Sequence, residues 1–299
     1  MSVLFLFGAG ASYGSGPCTP TTPPLGKDLI IRMREKGGIA ATIEGDLLDL
    51  FIADPELGMS KFFEDRNGET TELLKQMCGY LAQFRIDNGN YYTKLFSILK
   101  KRKHICIATT NYDLLIEQAI CSLGYLVQYF SDERHHNNIP VLKIHGSINF
   151  IPDANIRNMQ IVVPPTHTAG IFEGDVKAFT NTNDIIEYCE SDTALSPAVA
   201  IYHPQKIVLH CPSFVKFQQD NFHQEVKRSS KIFIIGLKVN PNDKHIWETL
   251  EKTKADIYIV DIDRPLVSSW INSITKKNVY HIADTFEESI ERIKKILRV

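Results

Sequence analysis

The chain has 299 residues, 43% hydrophobic and 23% charged, a balance that supports a sizeable core and argues against a disordered chain. Its formal net charge of −2, from 33 basic and 35 acidic residues, lacks the surplus of clustered cations that a dedicated nucleic-acid binder needs. No run approaches the ~18–20 apolar residues of a membrane span.

In chain order, the first apolar run is Val3 to Phe7, which reads as a strand rather than a signal peptide because it has no basic n-region and no cleavage site. It runs directly into Gly8-Ala9-Gly10-Ala11-Ser12. A strand that turns through small residues into a helix lets backbone N–H groups approach a pyrophosphate. Tyr13 stands where the common dinucleotide fingerprint has its third glycine, and a tight turn without a ligand is the alternative. A proline-rich loop follows, Pro17 to Pro24, then Pro24-Leu25-Gly26 opening an amphipathic helix; this loop is placed to close over a bound cofactor.

Residues 38–100 read as helices without strands, from Leu47, Leu48, Leu50 and Phe51 and then Leu73, Leu74, Met77 and Leu81. They form a helical insertion ending in the basic run Lys100 to Lys103, a solvated helix end. The second sheet strand, Ile105 to Ala108, ends in Thr109-Thr110-Asn111-Tyr112-Asp113. Polar residues just past a parallel strand lie at the carboxyl edge of the sheet, where open α/β folds bind ligands. Asn111 and Asp113 suit a ribose hydroxyl, a carboxamide or an attacking water, or they cap the helix marked by Leu114, Leu115, Gln118 and Ala119.

The strand Val141 to Ile144 ends in His145-Gly146-Ser147, which exposes an imidazole at the same edge, where it can accept a hydroxyl proton. His135, His136, His167, His203, His210, His223, His245 and His281 read as structural. Residues 150–205 form a second, mixed insertion in which Ile161 to Pro165 give a short strand and turn, and residues near 131–138 and 152–158 are the candidates for disorder. Strands follow at Ile207 to Leu209, Ile232 to Ile235 and Ile257 to Val260. Gly236 leads into a loop and a helix marked by Ile246 and Leu250, with Asn242 or Asp243 as N-cap. Asp261 and Asp263 end a strand and suit an adenosine ribose, with turn solvation as the alternative. Phe286, Ile290, Ile293 and Ile296 mark a closing amphipathic helix.

The six cysteines are scattered, with no Cys-x-x-Cys pair. The usual structural zinc pattern is absent and a reducing cytoplasm fits. The alternation of strands and helices predicts one α/β domain over residues 1–299: a Rossmann-like, doubly wound parallel sheet carrying the two insertions.

In order, Gly8 to Ser12, Thr109-Thr110-Asn111-Tyr112-Asp113 and His145-Gly146 resemble the motifs of the sirtuin superfamily, with Gly236 and Asp261 to Asp263 matching its later cofactor loops more loosely. The cysteine pairs of zinc-dependent deacylases and their Pro-x-Phe-Arg stretch are missing. Pro24-Leu25-Gly26 and the Gly236 to Ile246 loop are more similar to the bacterial sirtuin-like NADases of antiphage defence. The resemblance implies NAD as substrate without zinc, and hydrolysis to nicotinamide and ADP-ribose. Asn111 and His145 would be catalytic, and Gly8, Ala9, Gly10, Ala11, Ser12, Thr110, Asp113, Gly236, Asp243, Asp261 and Asp263 would bind the cofactor. An NAD-dependent deacylase or ADP-ribosyltransferase is the enzymatic alternative, and a nucleotide-sensing assembly subunit the non-catalytic one. A toxic NADase without a sensor domain implies restraint from outside. The expected partners are further copies of the chain and a separately encoded HerA-type ATPase or Argonaute-like protein, meeting the helical insertion.

Overall fold

In a computed structural model, residues 2–100, 102–129, 137–153, 160–162, 170–201, 206–240 and 243–298 are described. Val163 to Pro165, His135, His136, His167, His203 and Asn242 lie outside them, as does most of each stretch expected to be disordered.

The chain opens with β1 (Val3–Phe7), α1 (Ala9–Tyr13) and β2 (Cys18–Thr19). After α2 (Gly26–Glu35), the helical insertion follows as α3 (Gly38–Ala41), α4 (Gly45–Ala53), α5 (Pro55–Asp65), α6 (Thr71–Leu81), β3 (Arg85–Ile86) and α7 (Tyr91–Leu99). Next come β4 (Ile105–Thr109), α8 (Leu115–Ser122), β5 (Leu126–Gln128) and β6 (Asn138–Lys143). The second insertion holds β7 (Phe150–Asp153), β8 (Gln160–Val162), β9 (Ile171–Glu173), β10 (Asp175–Ala178) and α9 (Thr182–Glu190). The chain closes with α10 (Pro212–Arg228), β11 (Lys231–Ile235), α11 (Lys244–Lys252), β12 (Asp256–Val260), α12 (Arg264–Ser273), β13 (Val279–Ala283) and α13 (Phe286–Leu297).

Seven strands form one sheet in the order β13-β12-β11-β1-β4-β6-β5, and every neighbouring pair in it is parallel. The fold is therefore the doubly wound Rossmann-like sheet that the alternation of runs predicts. Its central strands are buried on both faces, which is why they read as unbroken apolar runs. In β1, Val3, Phe5 and Phe7 join one core cluster while Leu4 and Leu6 join the other. Phe5, Phe233, Tyr258 and Tyr280 stand side by side in register across β1, β11, β12 and β13, with successive ring centroids 5.0, 4.9 and 5.5 Å apart.

From β1 the chain builds to one side, adding β4, then β5 at the edge and β6 between them, and returns to build to the other side through β11, β12 and β13. That reversal opens a crevice at the carboxyl ends of β1, β4 and β11, where this class of sheet holds ligands.

Several local expectations change. Ile207 to Leu209 do not form a strand, because Val208 makes only an isolated bridge to Ala200. The first insertion does contain a strand, β3, paired antiparallel with β2. β5 and β13 carry too few consecutive apolar residues to stand out, and both lie at sheet edges. Asp243 sits at the N-cap of α11 without a side-chain cap bond, because its carboxylate turns into the crevice instead.

Candidate active site at the carboxyl edge of the sheet

The crevice is a cavity of about 490 Å³, within the size range of small-molecule sites. Three of its walls come from strand ends. After β1, Gly8 N–H donates to Ile235 O at 3.0 Å, Gly10 N–H to Gly236 O at 2.9 Å and Ala11 N–H to Gly8 O at 2.9 Å. Three donors of the expected phosphate cradle are thus used inside the protein. The glycines serve close packing instead: a Cβ on Gly8 would lie 2.5 Å from Gly236 O, and one on Gly236, whose φ is +60°, would lie 2.1 Å from Ala11 N. Ala9 and Ser12 are the residues of this loop that line the cavity.

After β4, Thr110 N–H continues the ladder to Phe7 O at 3.0 Å. Asn111 is buried, and its Nδ2 donates to Gly8 O and to Ser12 Oγ, both at 2.9 Å. Its Oδ1 is buried with no hydrogen-bond partner among the described residues. The side chain is therefore fixed by its donors and offers only an acceptor to the cavity it lines. Asp113 also lines the cavity, but one carboxylate oxygen accepts from Leu115 N–H at 3.1 Å, so the capping alternative holds there as well.

After β6, Gly146 adopts φ +82°, and a Cβ there would lie 2.1 Å from Ala198 O. Ala200 N–H donates to His145 O at 2.8 Å, so the second insertion buttresses the histidine loop. His145 Nε2 lies 3.2 Å from His245 Nε2 and 3.9 Å from Asp243 Oδ1. Burial first, then Lys206 and His245, holds the His145 imidazole well below its ordinary range. Burial, His223 and Lys206 hold His245 at about 4. Both rings are neutral at pH 7, so one donates to the other. Burial raises the Asp243 carboxyl above its usual value, opposed by Lys206, which lies 3.6 Å away.

The structure thus brings Ala9, Ser12, Thr110, Asn111, Asp113, His145 and Asp243 to one cavity and packs Gly8, Gly10, Ala11 and Gly236 beneath its rim. It does not bring Asp261 or Asp263 into the cavity lining. Asp261 Oδ1 accepts from Asp263 N–H at 2.8 Å, and Asp263 caps α12 through Leu266 N–H at 3.0 Å. Those contacts correspond to the turn-solvation alternative. Pro23 and Pro24 of the proline-rich loop do line the cavity.

Sequence reasoning missed four residues. His245 was read as structural, although its place two residues after Asp243 was the available signal. Glu56 comes from α5 and pairs with Lys206, which no periodicity marks. Lys143 is fully buried in β6, where its Nζ donates to Asp113 O at 2.6 Å and lies 3.3 Å from Glu117 Oε1. It ties the Asn111–Asp113 loop to the strand that presents His145.

Taken together, the sheet and the three strand-end loops define a Rossmann-like protein with its site at the topological switch point. A family model described as SIR2-like domain matches residues 105–167, the segment that carries Asn111, Asp113, Lys143 and His145. A Sir2 structure from work on the mechanism and regulation of Sir2 enzymes aligns over 99% of this chain and 92% of its own, at 14% identity and TM-score 0.51. A Sir2 homolog–NAD complex aligns over 99% and 89%, at 15% identity and TM-score 0.42. No curated protein matches the sequence. The chain is sirtuin-like in fold and in its matched central segment.

Proposed function

We propose that the cavity binds NAD and that the chain hydrolyses its nicotinamide–ribose bond. The observation that carries this reading is that one cavity is lined both by Asn111, whose buried Oδ1 has no hydrogen-bond partner among the described residues, and by His145, whose imidazole burial keeps neutral. An acceptor fixed in this way suits a water or a ribose hydroxyl, each of which needs a place to send its proton. In the reaction the C1′–N bond breaks and its electron pair leaves with neutral nicotinamide. The water oxygen bonds to C1′, and one proton is released. His145 would exchange its present contact with His245 for a ribose hydroxyl, and Asn111 would orient that hydroxyl or the water.

Hydrolysis is favoured over deacylation by the missing Cys-x-x-Cys pairs. In the cell the reading implies an effector that depletes NAD in antiphage defence, restrained by self-assembly or by a separately encoded ATPase or Argonaute-like partner. The test is chromatography of NAD incubated with purified protein, alone and with its genomic neighbours' products. Nicotinamide and ADP-ribose are expected in equal amounts, with a loss of roughly 10²-fold or more in Asn111→Ala and in His145→Ala. Turnover that requires an acylated peptide, or that persists in both variants, overturns the reading.

A further inference from the structure

We propose that His145, Asp243 and His245 form a site for a divalent transition-metal ion of the zinc class, opening on the same cavity. The chain's cysteines point away from zinc, yet the folded protein assembles a different donor set. His145 arrives from the loop after β6, while Asp243 and His245 stand at the N-terminus of α11. One donor atom from each lies within 4.8 Å of the others. The two imidazole Nε2 atoms lie 3.2 Å apart, and His145 Nε2 lies 3.9 Å from Asp243 Oδ1. A tetrahedral zinc with bonds of about 2.0–2.1 Å needs its donors roughly 3.3–3.4 Å apart. The histidine pair is already near that spacing, while the carboxylate must close by about half an ångström toward His145 and move toward His245 as well.

The donors are also of the types that zinc takes, two imidazole nitrogens and a carboxylate oxygen, and the proton shared between the two Nε2 atoms moves to Nδ1 or leaves when a metal binds. Asp243 Oδ1 is buried without a hydrogen-bond partner among the described residues, a costly condition that a metal bond would relieve. Lys206, 3.6 Å from that oxygen, opposes a second cation but keeps its ion pair with Glu56 when Asp243 turns to a metal. Among the residues lining the cavity, the carboxylates Asp54, Glu56, Asp113 and Asp243 outnumber the lysines Lys206 and Lys238. His145 and Asp243 line the cavity, so the fourth position opens on it, as in zinc sites with three protein ligands and one exchangeable partner. A metal there takes the lone pair that His145 would offer a ribose hydroxyl, so metal and substrate compete for one nitrogen.

The experiment is titration of the full-length protein with Co2+ and then Zn2+, without NAD, read by absorption and by calorimetry. One equivalent of Co2+ is expected to give the visible bands of a four-coordinate ion without a sulfur-to-cobalt band in the near ultraviolet. Zn2+ is expected to displace it. His245→Ala and the isosteric Asp243→Asn are each expected to weaken binding at least 10-fold, while His104→Ala, at an exposed position, leaves it unchanged; denaturation midpoints confirm that the variants fold. No binding at high micromolar metal, binding that survives His245→Ala in a folded protein, or a sulfur-to-cobalt band would each overturn the proposal. Because NAD is absent from the measurement, its outcome is independent of whether the chain hydrolyses NAD.

Discussion

Replacing Gly236 by alanine tests how the loops after β1 and β11 are held together. Gly236 has φ +60°, a left-handed conformation that costs an L-residue about 1–2 kcal/mol. The added Cβ would lie 2.1 Å from Ala11 N and 2.5 Å from Gly10 C. Both are backbone atoms, so no rotamer change relieves the overlap, and the loop after β1 must move. Forcing a methyl into such packing costs about 1–3 kcal/mol more. The expected loss is therefore about 2–5 kcal/mol in a urea titration. Gly124→Ala supplies the control, since Gly124 has φ +83° with nothing within 4 Å of its Cβ and carries only the conformational cost. If the two variants lie within about 1 kcal/mol of each other, a cost the left-handed backbone alone explains, then the glycine contact is not the constraint described here.

Three further outcomes follow from the buried groups. Burial holds His210 at about 4, against an ordinary value of about 6.5, and its Nδ1 lies 3.1 Å from Ser196 N, whose N–H it accepts. The unfolded chain therefore binds the extra proton between about pH 6.5 and pH 4, so this contribution is complete above that window and falls away by about 3 kcal/mol as the pH drops through it. In denaturation series the stability gap between the native chain and His210→Gln should narrow over that window, and a gap independent of pH would contradict it. Lys143→Met leaves the buried Glu117 with the Tyr129 hydroxyl but no counter-ion and should cost about 3–5 kcal/mol, with most of it recovered in the Lys143→Met/Glu117→Gln double variant; additive losses would refute the pairing. Among the cysteines only Cys121 is exposed, so it should be alkylated before Cys78, Cys106, Cys189 and Cys211, as peptide mapping after brief labelling would show.

The sheet was legible because its central strands are buried on both sides and so appear as unbroken apolar runs. Asn111 and His145 were legible because each follows such a run, and the topology carries strand ends to one edge. Edge strands β5 and β13, half exposed, leave no such mark. Ile207 to Leu209 show the converse error, in which an apolar run in an insertion packs into the core without joining the sheet. Side-chain partners were not legible where a contact joins residues distant in the chain or where a turn uses its own acids. Glu56 and Lys206 are 150 positions apart, and the acids Asp261 and Asp263 are spent on backbone N–H groups that their own turn creates. The glycine loop has distant partners too, since Gly8 and Gly10 find acceptors for their N–H groups on the strand and loop at positions 235 and 236.

The buried Lys143 has a consequence for how this protein can change over evolutionary time. A single ammonium joins the Asp113 carbonyl, the Glu117 carboxylate and the strand leading to His145. The spacing of the loops that carry Asn111 and His145 is thus set by an internal counter-ion. Neither charge can drift alone, because each intermediate sequence would hold an isolated ion in a dry core. Relatives that keep the site should therefore keep both residues or exchange them together. A lineage that has lost one without the other would mark the point at which this cavity was released from its present geometry.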